Sequence, residues 1–517
     1  MGEKGISRGI LRDQAARKTL QYIFFWTLAF GLVAHGYRYF NANFNYDSLI
    51  WLYEPNAQIS MVRPGRFMRP VYRLLRGDFA LPALGGFLSL VYLSVTAFFL
   101  VNLLGIQKKS YIALTCGLLV VNSSMIPLNA TYCHDVDAYC LSILLSVLGV
   151  WAAMQWKHGK LWAVLFYCCS LGLYQAYIGV AVYLVLILAM MELLRGTPVK
   201  ETYLQLFRQL LVIFVSMVVY FITARVVQAV THLNDAGLYN SLSSLREITF
   251  SAILSRIGLC FYSEGVWLLW PPGNGKVFLI GANVLMVALA VGCGIGIQRR
   301  RKLGKASVWG IIGVLAAIPF GMSTVMLISN IFHWLILYPY NLSYLLVLVL
   351  VQENQKLSDD AMPAKRCSWL WAVLAGVLIF ENCLYANETY LKKELECDAT
   401  LSVFTRIIDR MEQTEGFDPQ NNKVAIIGDS VFFEHAPFAK RRDGFEIRGD
   451  GNDINFSPSF YDSIVLYLTY YLGYPVTCTN WGEASALGRT DYVQRMPLFP
   501  AEGSVQMVDD ILVIKIS

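Results

Sequence analysis

The amino-acid sequence predicts a polytopic α-helical membrane protein with about eleven transmembrane helices and a small C-terminal extracytoplasmic α/β domain. Of its 517 residues, 56% are apolar and only 15% are charged, which lies outside the range of soluble globular domains. Apolar runs of about 20 residues, the length that crosses a bilayer, recur as far as Tyr385. From Ala386 onward the chain is polar, so a second domain is expected there.

The apolar runs are bounded by charged residues or by Gly and Pro turns. The 34 residues of Leu161–Leu194 are too long for one helix across a hydrocarbon core of about 30 Å, so two short helices are expected to turn at "GLYQAY". The predicted spans are Leu20–Tyr37, Leu81–Ile106, Tyr111–Leu128, Ala138–Trp156, Leu161–Leu173, Ala176–Leu194, Leu210–Val230, Phe278–Ile297, Val308–Ile328, Trp334–Val351 and Trp369–Tyr385.

Short basic loops predict the orientation, because Lys and Arg accumulate on the cytoplasmic side. They are the N-terminal tail 1–19, Lys108–Lys109, Lys157–Lys160, Arg195–Lys200, Arg299–Lys302 and the segment from Lys356 to Arg366. The first apolar run lacks a small-residue cleavage site and is therefore expected to be an anchor. This scheme divides the chain into a cytoplasmic tail (1–19), a transmembrane domain (20–385) and an extracytoplasmic domain (386–517).

The extracytoplasmic domain is predicted to begin with a helix over Glu388–Glu412 and to contain strands at "KVAIIGDS" and "DDILVIKIS". A loop from Thr231 to Lys276 is also expected outside. Its segment "FSAILSRIGLCFYSEGVWLLW" is rich in aromatic residues and is expected to lie along the membrane interface.

Composition also excludes several functions. The net charge is only +6 and forms no basic block, so the sequence does not predict nucleic-acid binding. The 11 cysteines are scattered without a C-x-x-C pair, so neither a zinc site nor redox chemistry is predicted.

The first predicted outer loop carries an excess of arginine, which opposes the usual charge bias and so requires a local reason. Arginine donates two parallel hydrogen bonds to phosphate. Pro70 could occupy the first turn of a helix that places Arg73 and Arg76 on one face. An interfacial helix whose arginines reach lipid headgroups is an open alternative. The charged residues around this loop are Arg38, Asp47, Glu54, Arg63, Arg66, Arg69, Arg73, Arg76 and Asp78.

Three polar sites are predicted on the outer face. Asp47 could be a general base or could cap the helix "SLIWLY". In "YCHDVDAY", the residues His134, Asp135 and Asp137 could pair with the arginines, bind a cation or cap the helix that begins near Ala138. The third site, "SLGLYQAYIG", offers Tyr174, Gln175 and Tyr177 to a sugar or a polyprenyl chain, or forms an interfacial aromatic belt.

Convergence of these sites on one face favours an enzyme that acts on a lipid-linked substrate. A transporter would be expected to show ionisable or helix-breaking residues near the midplane and symmetry between its halves. A flippase for lipid-linked sugars and a non-catalytic scaffold for envelope assembly are the alternatives.

Four segments resemble the bacterial GtrII glucosyltransferases, which modify surface polysaccharides such as O-antigen, and more broadly the GT-C class of membrane glycosyltransferases. They are "NYDSLIW…GRFMRP", "HDVDAYCLS", "CSLGLYQAYIG" and "ANETYLKKELECDATLSVFTRIIDRME". The resemblance implies a GT-C-like fold in the bacterial cell membrane. It also implies transfer of a hexose, with glucose favoured, from a polyprenyl-phosphate sugar to a cell-surface glycan.

For this chemistry Asp47 is the expected base, with Glu54 and Asp137 as alternatives because the first loop lacks the paired acids common in the family. Arg63, Arg66 and Arg69 are expected to bind the donor phosphate. His134, Asp135, Tyr174 and Gln175 are the expected substrate-binding residues. No cofactor or metal site is required, although a divalent cation is compatible with the reaction. The expected partners are the lipid-linked donor, the glycan acceptor and membrane lipids.

Overall fold

The computed structural model describes residues 14–41, 49, 57–77, 81–233, 249–272, 276–329, 331–358, 361–428 and 464–516. Helices dominate as far as Glu412. They are α1 (Gln14–Phe40), α2 (Ala57–Ser60), α3 (Met68–Arg76), α4 (Pro82–Leu103), α5 (Lys109–Val120), α6 (Met125–Thr131), α7 (Val136–Gln155), α8 (Gly159–Leu173), α9 (Ile178–Arg195), α10 (Val199–Thr231), α11 (Phe250–Leu269), α12 (Lys276–Arg301), α13 (Lys305–Met322), α14 (Thr324–Ser329), α15 (Leu342–Lys356) and α16 (Ala361–Glu412). Short 3₁₀ helices, Gln175–Tyr177 and Trp334–Asn341, precede α9 and α15.

Within the described ranges, nine helical segments are long and apolar enough to cross a membrane, or ten if the bent pair α5 and α6 forms one span. The chain is thus a polytopic helical membrane protein. Every predicted run overlaps a helix, but α1 and the 15-residue α8 fall outside this set, so the count of eleven crossings stays a prediction. Asn122 organises the 44° bend between α5 and α6 by accepting hydrogen bonds from the backbone nitrogens of Ser124 and Met125.

Helix α11 coincides with the segment that was predicted to lie at the interface. Its length and composition would also allow a crossing. The interfacial position therefore stays a prediction. Arg256, near the start of α11, donates to the Leu327 carbonyl, and the carbonyl of Trp267, near its end, accepts from Asn283. Leu327 follows α13 and Asn283 lies near the start of α12, so both halves of α11 contact one end of the bundle.

Helix α16 is a single element of 52 residues. At about 1.5 Å per residue it is far longer than a hydrocarbon core of about 30 Å. The predicted domain boundary at Tyr385 therefore lies inside a continuous helix. A hydrogen bond of 2.7 Å between His35 Nδ1 and Tyr390 Oη joins α16 to the end of α1.

Beyond α16 the described chain forms a small α/β unit with a four-stranded sheet in the order β2-β1-β4-β3. Strand β1 pairs in parallel with β2 and β4, whereas β3 is antiparallel to β4. Strands β1 and β4 coincide with the two predicted runs. The remaining elements are β1 (Lys423–Ile427), a π-helix (Tyr467–Tyr471), β2 (Thr477–Cys478), α17 (Trp481–Gly488), α18 (Asp491–Arg495), β3 (Val505–Val508) and β4 (Ile511–Lys515). We call residues 397–516 the tail domain, because the last turns of α16 pack on this sheet.

Three of the predicted basic loops meet at one end of the bundle. Glu353 lies within 2.8 Å of the Lys356 Nζ and 3.2 Å of an Arg301 nitrogen, and Arg195 completes the group at 3.5 Å. The turn that holds Tyr174 and Gln175 lies at the other end of α9. The bundle thus has a basic end and an opposite end, and the candidate site occupies the opposite end.

Candidate functional site

Helix α3 has one charged and one apolar face. Arg69, Tyr72 and Arg76 are buried, whereas the side chains of Leu74 and Leu75 are 83% and 87% exposed. This follows from helical spacing, since residues three, four and seven apart share a face. The arginines point into the protein and the leucines point away from it. Arg69 and Arg76 therefore do not reach lipid headgroups, as the alternative of an interfacial helix would require.

The buried face of α3 contacts two aspartates at the start of α7. Arg69 forms an ion pair with Asp135. Arg76 donates from Nε to Asp137 Oδ2 at 2.9 Å, and the Tyr72 hydroxyl donates to the same oxygen at 3.0 Å. Arg76 also donates to the His134 carbonyl. In the structure both aspartates pair with arginines. The Asp135 side chain makes no helix-capping hydrogen bond.

His134 is buried, and its Nε2 lies 3.6 Å from Asp135 Oδ2. Burial, followed by the charge of Arg69 and the neighbouring arginines, holds the pKa of His134 well below its usual value. Its imidazole is therefore neutral near pH 7. Burial also lowers the pKa of Arg69 to about 10, which leaves its guanidinium charged at that pH.

Arg66 and Arg69 rest on a pair of tyrosines. The Arg66 Cζ lies 4.9 Å from the centroid of the Tyr174 ring, and the Arg69 Cζ lies 5.6 Å from that of Tyr139. The two rings are 4.3 Å apart. Such cation–π contacts hold a guanidinium without using its hydrogen-bond donors. The Arg66 Nε is buried and has no hydrogen-bond partner among the described residues.

Two glutamines fix the loop that leads to Arg66. Gln175 donates to the Pro64 carbonyl at 2.6 Å, and Gln228 donates to the Arg63 carbonyl at 2.8 Å. Gly65, which follows Pro64, has φ +86°, and a Cβ there would lie 2.5 Å from the Tyr220 hydroxyl. The Gln175 amide thus positions the loop, and its contact with substrate stays a prediction. The Arg63 side chain is exposed, whereas Arg69 and Arg76 are buried in their ion pairs.

Arg38 brings a further positive charge to this end of the bundle. It donates to the carbonyls of Asn129 and Asn41 at 3.1 and 2.8 Å, and to the Cys133 Sγ at 2.7 Å. All four arginines act on His134 electrostatically. We call Arg38, Arg66, Arg69, Arg76, His134, Asp135 and Asp137 the charged cluster. Four arginines, two aspartates and a neutral histidine give it a net charge of +2.

Five members of the charged cluster line a small open cleft between α3 and the start of α7: Arg69, Arg76, His134, Asp135 and Asp137. In the described part of the chain, no group of three His, Cys, Asp or Glu side chains is arranged to hold a metal ion. Asp47 and Glu54, the first-loop acids, lie outside the described residues.

Sequence reasoning assigned no site role to Tyr72, Tyr139 or Gln228, and it placed Arg76 with Arg73 on one helix face without naming it as a phosphate ligand. The spacing of Arg69, Tyr72 and Arg76 on one helical face was a usable signal for Tyr72 and Arg76. Gln228 had none, because it lies on α10, 165 residues from Arg63 along the chain.

The sequence matches the model of a known protein family. The family model described as "Glucosyl transferase GtrII" matches residues 36–351. This range covers more than half of the chain and includes the entire charged cluster. No curated protein and no solved structure matches the sequence.

Proposed function

The chain belongs to the GtrII glucosyltransferase family, and from that premise we propose that it transfers glucose from a polyprenyl-phosphate donor to a hydroxyl of a cell-surface polysaccharide. The enzyme class and the membrane location follow from the family match and the apolar helices. The donor, the acceptor and the roles of individual residues belong to the proposal.

The net positive charge of the charged cluster is the observation that carries this proposal. A sugar linked to polyprenyl phosphate is a phosphodiester with one negative charge. When the bond from the anomeric carbon to the phosphate oxygen breaks, the leaving polyprenyl phosphate gains a second charge, as monophosphates approach −2 near pH 7. Buried guanidinium groups bind the more highly charged leaving group more strongly than the donor, which lowers the barrier.

Arg66 and Arg69 are the proposed phosphate ligands. Their guanidinium groups lie on neighbouring tyrosine rings, and arginine matches phosphate geometry with its planar fork. The phosphate is proposed to lie between these two guanidinium groups, and the hexose beside the ring of Tyr174. Exposed Arg63 is proposed to contact the outer edge of the phosphate.

The reaction needs a base as well. The acceptor oxygen bonds to the anomeric carbon, the electron pair of the broken bond goes to the phosphate oxygen, and the acceptor proton goes to a carboxylate. Asp135 and Asp137 are committed to arginines, and protonation would release their partners into a buried site. Asp47 is therefore the proposed base, with Glu54 as the alternative, and Asp137 is proposed to orient Arg76. No cofactor is proposed.

We further propose that the reaction takes place on the extracytoplasmic side of the cell membrane. The charged cluster lies at the end of the bundle opposite the Glu353 group, where basic loops meet. The positive-inside bias assigns that basic end to the cytoplasm. The N-terminus would then be cytoplasmic, and the tail domain extracytoplasmic.

The proposal is tested with membranes that contain the protein, supplied with polyprenyl-phosphate glucose and a surface polysaccharide. We expect the acceptor to gain one hexose in mass spectrometry. A donor that crosses the membrane without any new covalent linkage would identify a flippase instead. Transfer from another lipid-linked hexose, but not from glucose, would replace the proposed sugar.

Replacing Arg66 should weaken donor use. We expect Arg66→Gln to lower kcat/KM for the donor by about 10²- to 10³-fold, the range for loss of one donor to a developing negative charge. The kcat/KM of Arg66→Lys should lie between those of the wild type and Arg66→Gln, because lysine keeps the charge but lacks the planar fork of the guanidinium. Steady-state kinetics with varied donor concentration measures the effect.

Arg406→Gln is the matched control for Arg66. Its guanidinium also lies over an aromatic ring, with its Cζ 5.8 Å from the centroid of the Phe499 ring, but it belongs to the tail domain and lies outside the charged cluster. We expect near-normal activity from this variant. Equal losses in both variants would contradict a phosphate role that is specific to Arg66.

A further inference from the structure

Arg66 is held differently from its neighbours Arg69 and Arg76, which both pair with aspartates. Among the described residues, the Arg66 guanidinium has no carboxylate partner and lies over the Tyr174 ring instead. A ring face is a less directional partner than a carboxylate. The position of Arg66 therefore depends on the backbone that carries it, residues 61–67, which we call the arginine loop.

Two side-chain amides hold three consecutive carbonyls of the arginine loop. Gln228 Nε2 donates to the carbonyls of Val62 and Arg63, at 3.2 and 2.8 Å. Gln175 Nε2 donates to the next carbonyl, that of Pro64, at 2.6 Å. The backbone that leads to the guanidinium is thus fixed from outside the loop.

Tyr220 completes the attachment of the loop to α10. Its hydroxyl accepts a hydrogen bond of 2.9 Å from Gln175 Nε2. Its ring stacks on Phe67, with centroids 5.9 Å apart and an angle of 27° between the planes. The hydroxyl also lies so close to Gly65 that a Cβ there would clash with it. The arginine loop therefore has no room to move towards α10.

These contacts come from a narrow stripe of α10. Tyr220, Ala224 and Gln228 are buried and follow one another at intervals of four residues, which places them on one helix face. Between them, Ile222 and Val226 are more than half exposed. The last turns of α10 thus present to the protein a face that contacts the arginine loop.

We propose that α10 positions Arg66 for the reaction, with Gln228 and Tyr220 as positioning residues that hold the arginine loop. This inference rests on the proposed function for its catalytic consequence. A guanidinium that is placed before the donor binds does not have to be reoriented when charge develops on the leaving phosphate. The two α10 residues thereby affect the reaction without touching either substrate.

Kinetics of Gln228→Met tests this role. Methionine is similar in size but donates no hydrogen bond, so the carbonyls of Val62 and Arg63 would lose their side-chain partner and the loop should shift. We expect kcat/KM for the donor to fall on the order of 10²-fold, as for other small displacements of a reacting group. The KM for the acceptor should stay unchanged.

Tyr203→Phe is the matched control. Tyr203 also lies on α10 and donates to a backbone carbonyl, that of Gly310 on α13, at 2.8 Å. This hydrogen bond lies near the opposite end of α10, far along the helix from the arginine loop. We expect near-normal donor kinetics. Equal losses in this variant and in Gln228→Met would overturn the positioning role, because they would reflect the attachment of α10 in general.

A double variant shows whether Gln228 acts through Arg66. In protein that already carries Arg66→Gln, the further change Gln228→Met should alter kcat/KM for the donor by less than about twofold, since residues that act as one unit are not additive. Losses that multiply in the double variant would overturn the proposal, because Gln228 would then act by another route.

Hydrogen exchange tests the attachment without any activity. The backbone nitrogens of Gly65 and Arg66 close the arginine loop with hydrogen bonds of 2.9 Å. We expect Gln228→Met to accelerate exchange across this loop in the full-length protein, and Tyr203→Phe to leave it unchanged. Unchanged exchange in both variants would overturn the attachment. If the wild type fails to transfer glucose, the proposed function falls, while this measurement still decides whether α10 holds the loop.

Discussion

Asp47→Asn is expected to lower the rate of glucosyl transfer by about 10²- to 10⁴-fold, the usual contribution of a general base. Asparagine keeps the size of the side chain but cannot accept the acceptor proton. Because the arginines still hold the phosphate, the KM for the donor should change little. We therefore expect the variant to bind the donor and to accumulate little product.

The experiment compares surface polysaccharide from cells that contain equal amounts of the wild type or the variant, each with the polyprenyl-phosphate glucose pathway. Glu54→Gln, in the same loop, is the matched control, and it should keep most of the activity. A loss in Glu54→Gln but not in Asp47→Asn would move the base to Glu54. Full activity in both variants would leave Asp137 as the candidate for the general base.

The pH profile adds a second readout for Asp47. Activity that depends on a carboxylate base should fall as the pH decreases and the carboxylate becomes protonated. His134 should not contribute a step near pH 6.5, because burial and the arginines keep its pKa well below that value. A step near pH 6.5 that disappears in His134→Gln would show that His134 is the group that titrates.

Much of the bundle was predictable because the apolar runs identify helices directly. The break near Asn122 and the length of α16 were not. Residues 386–412 are polar and have helical spacing, so composition changes at Tyr385 while the helix continues. Where a helix passes from lipid into water, its surface residues change from apolar to polar. Such a change in composition does not by itself indicate that the helix ends.

The arginines illustrate how much of the site was predictable. The sequence indicated that Arg69 or its neighbours could pair with Asp135 and Asp137, but headgroups were an equally suitable partner. The choice depends on which face of α3 meets the protein, and this is set by packing against α7. Leu49 shows the same limit over a longer range. It is buried in the core cluster of the tail domain with Phe404 and Leu512, and nothing in the sequence of the first loop indicates that partner.

The ion pair between Arg76 and Asp137 should have the largest effect on folding. Both side chains are at most 4% exposed. Loss of one partner from a buried pair typically costs about 3–5 kcal/mol, because the remaining charge is left uncompensated. We expect Asp137→Ala to destabilise the protein by about that amount, measured by thermal unfolding in detergent. Glu192→Ala is the control: its pair with Arg195 is 37–40% exposed, so its loss should cost less than about 1 kcal/mol.

The double variant Arg76→Met with Asp137→Leu separates stability from catalysis. Replacing both charges with apolar side chains removes the uncompensated charge, so most of the lost stability should return. The net charge of the charged cluster stays +2, because one cation and one anion are removed together. Transfer should nevertheless stay low, because the guanidinium of Arg76 is no longer available to the leaving phosphate. If the double variant is as unstable as Asp137→Ala, the cost does not come from the unpaired charge of Arg76. If it is stable and fully active, the pair belongs to the scaffold and not to the reacting site.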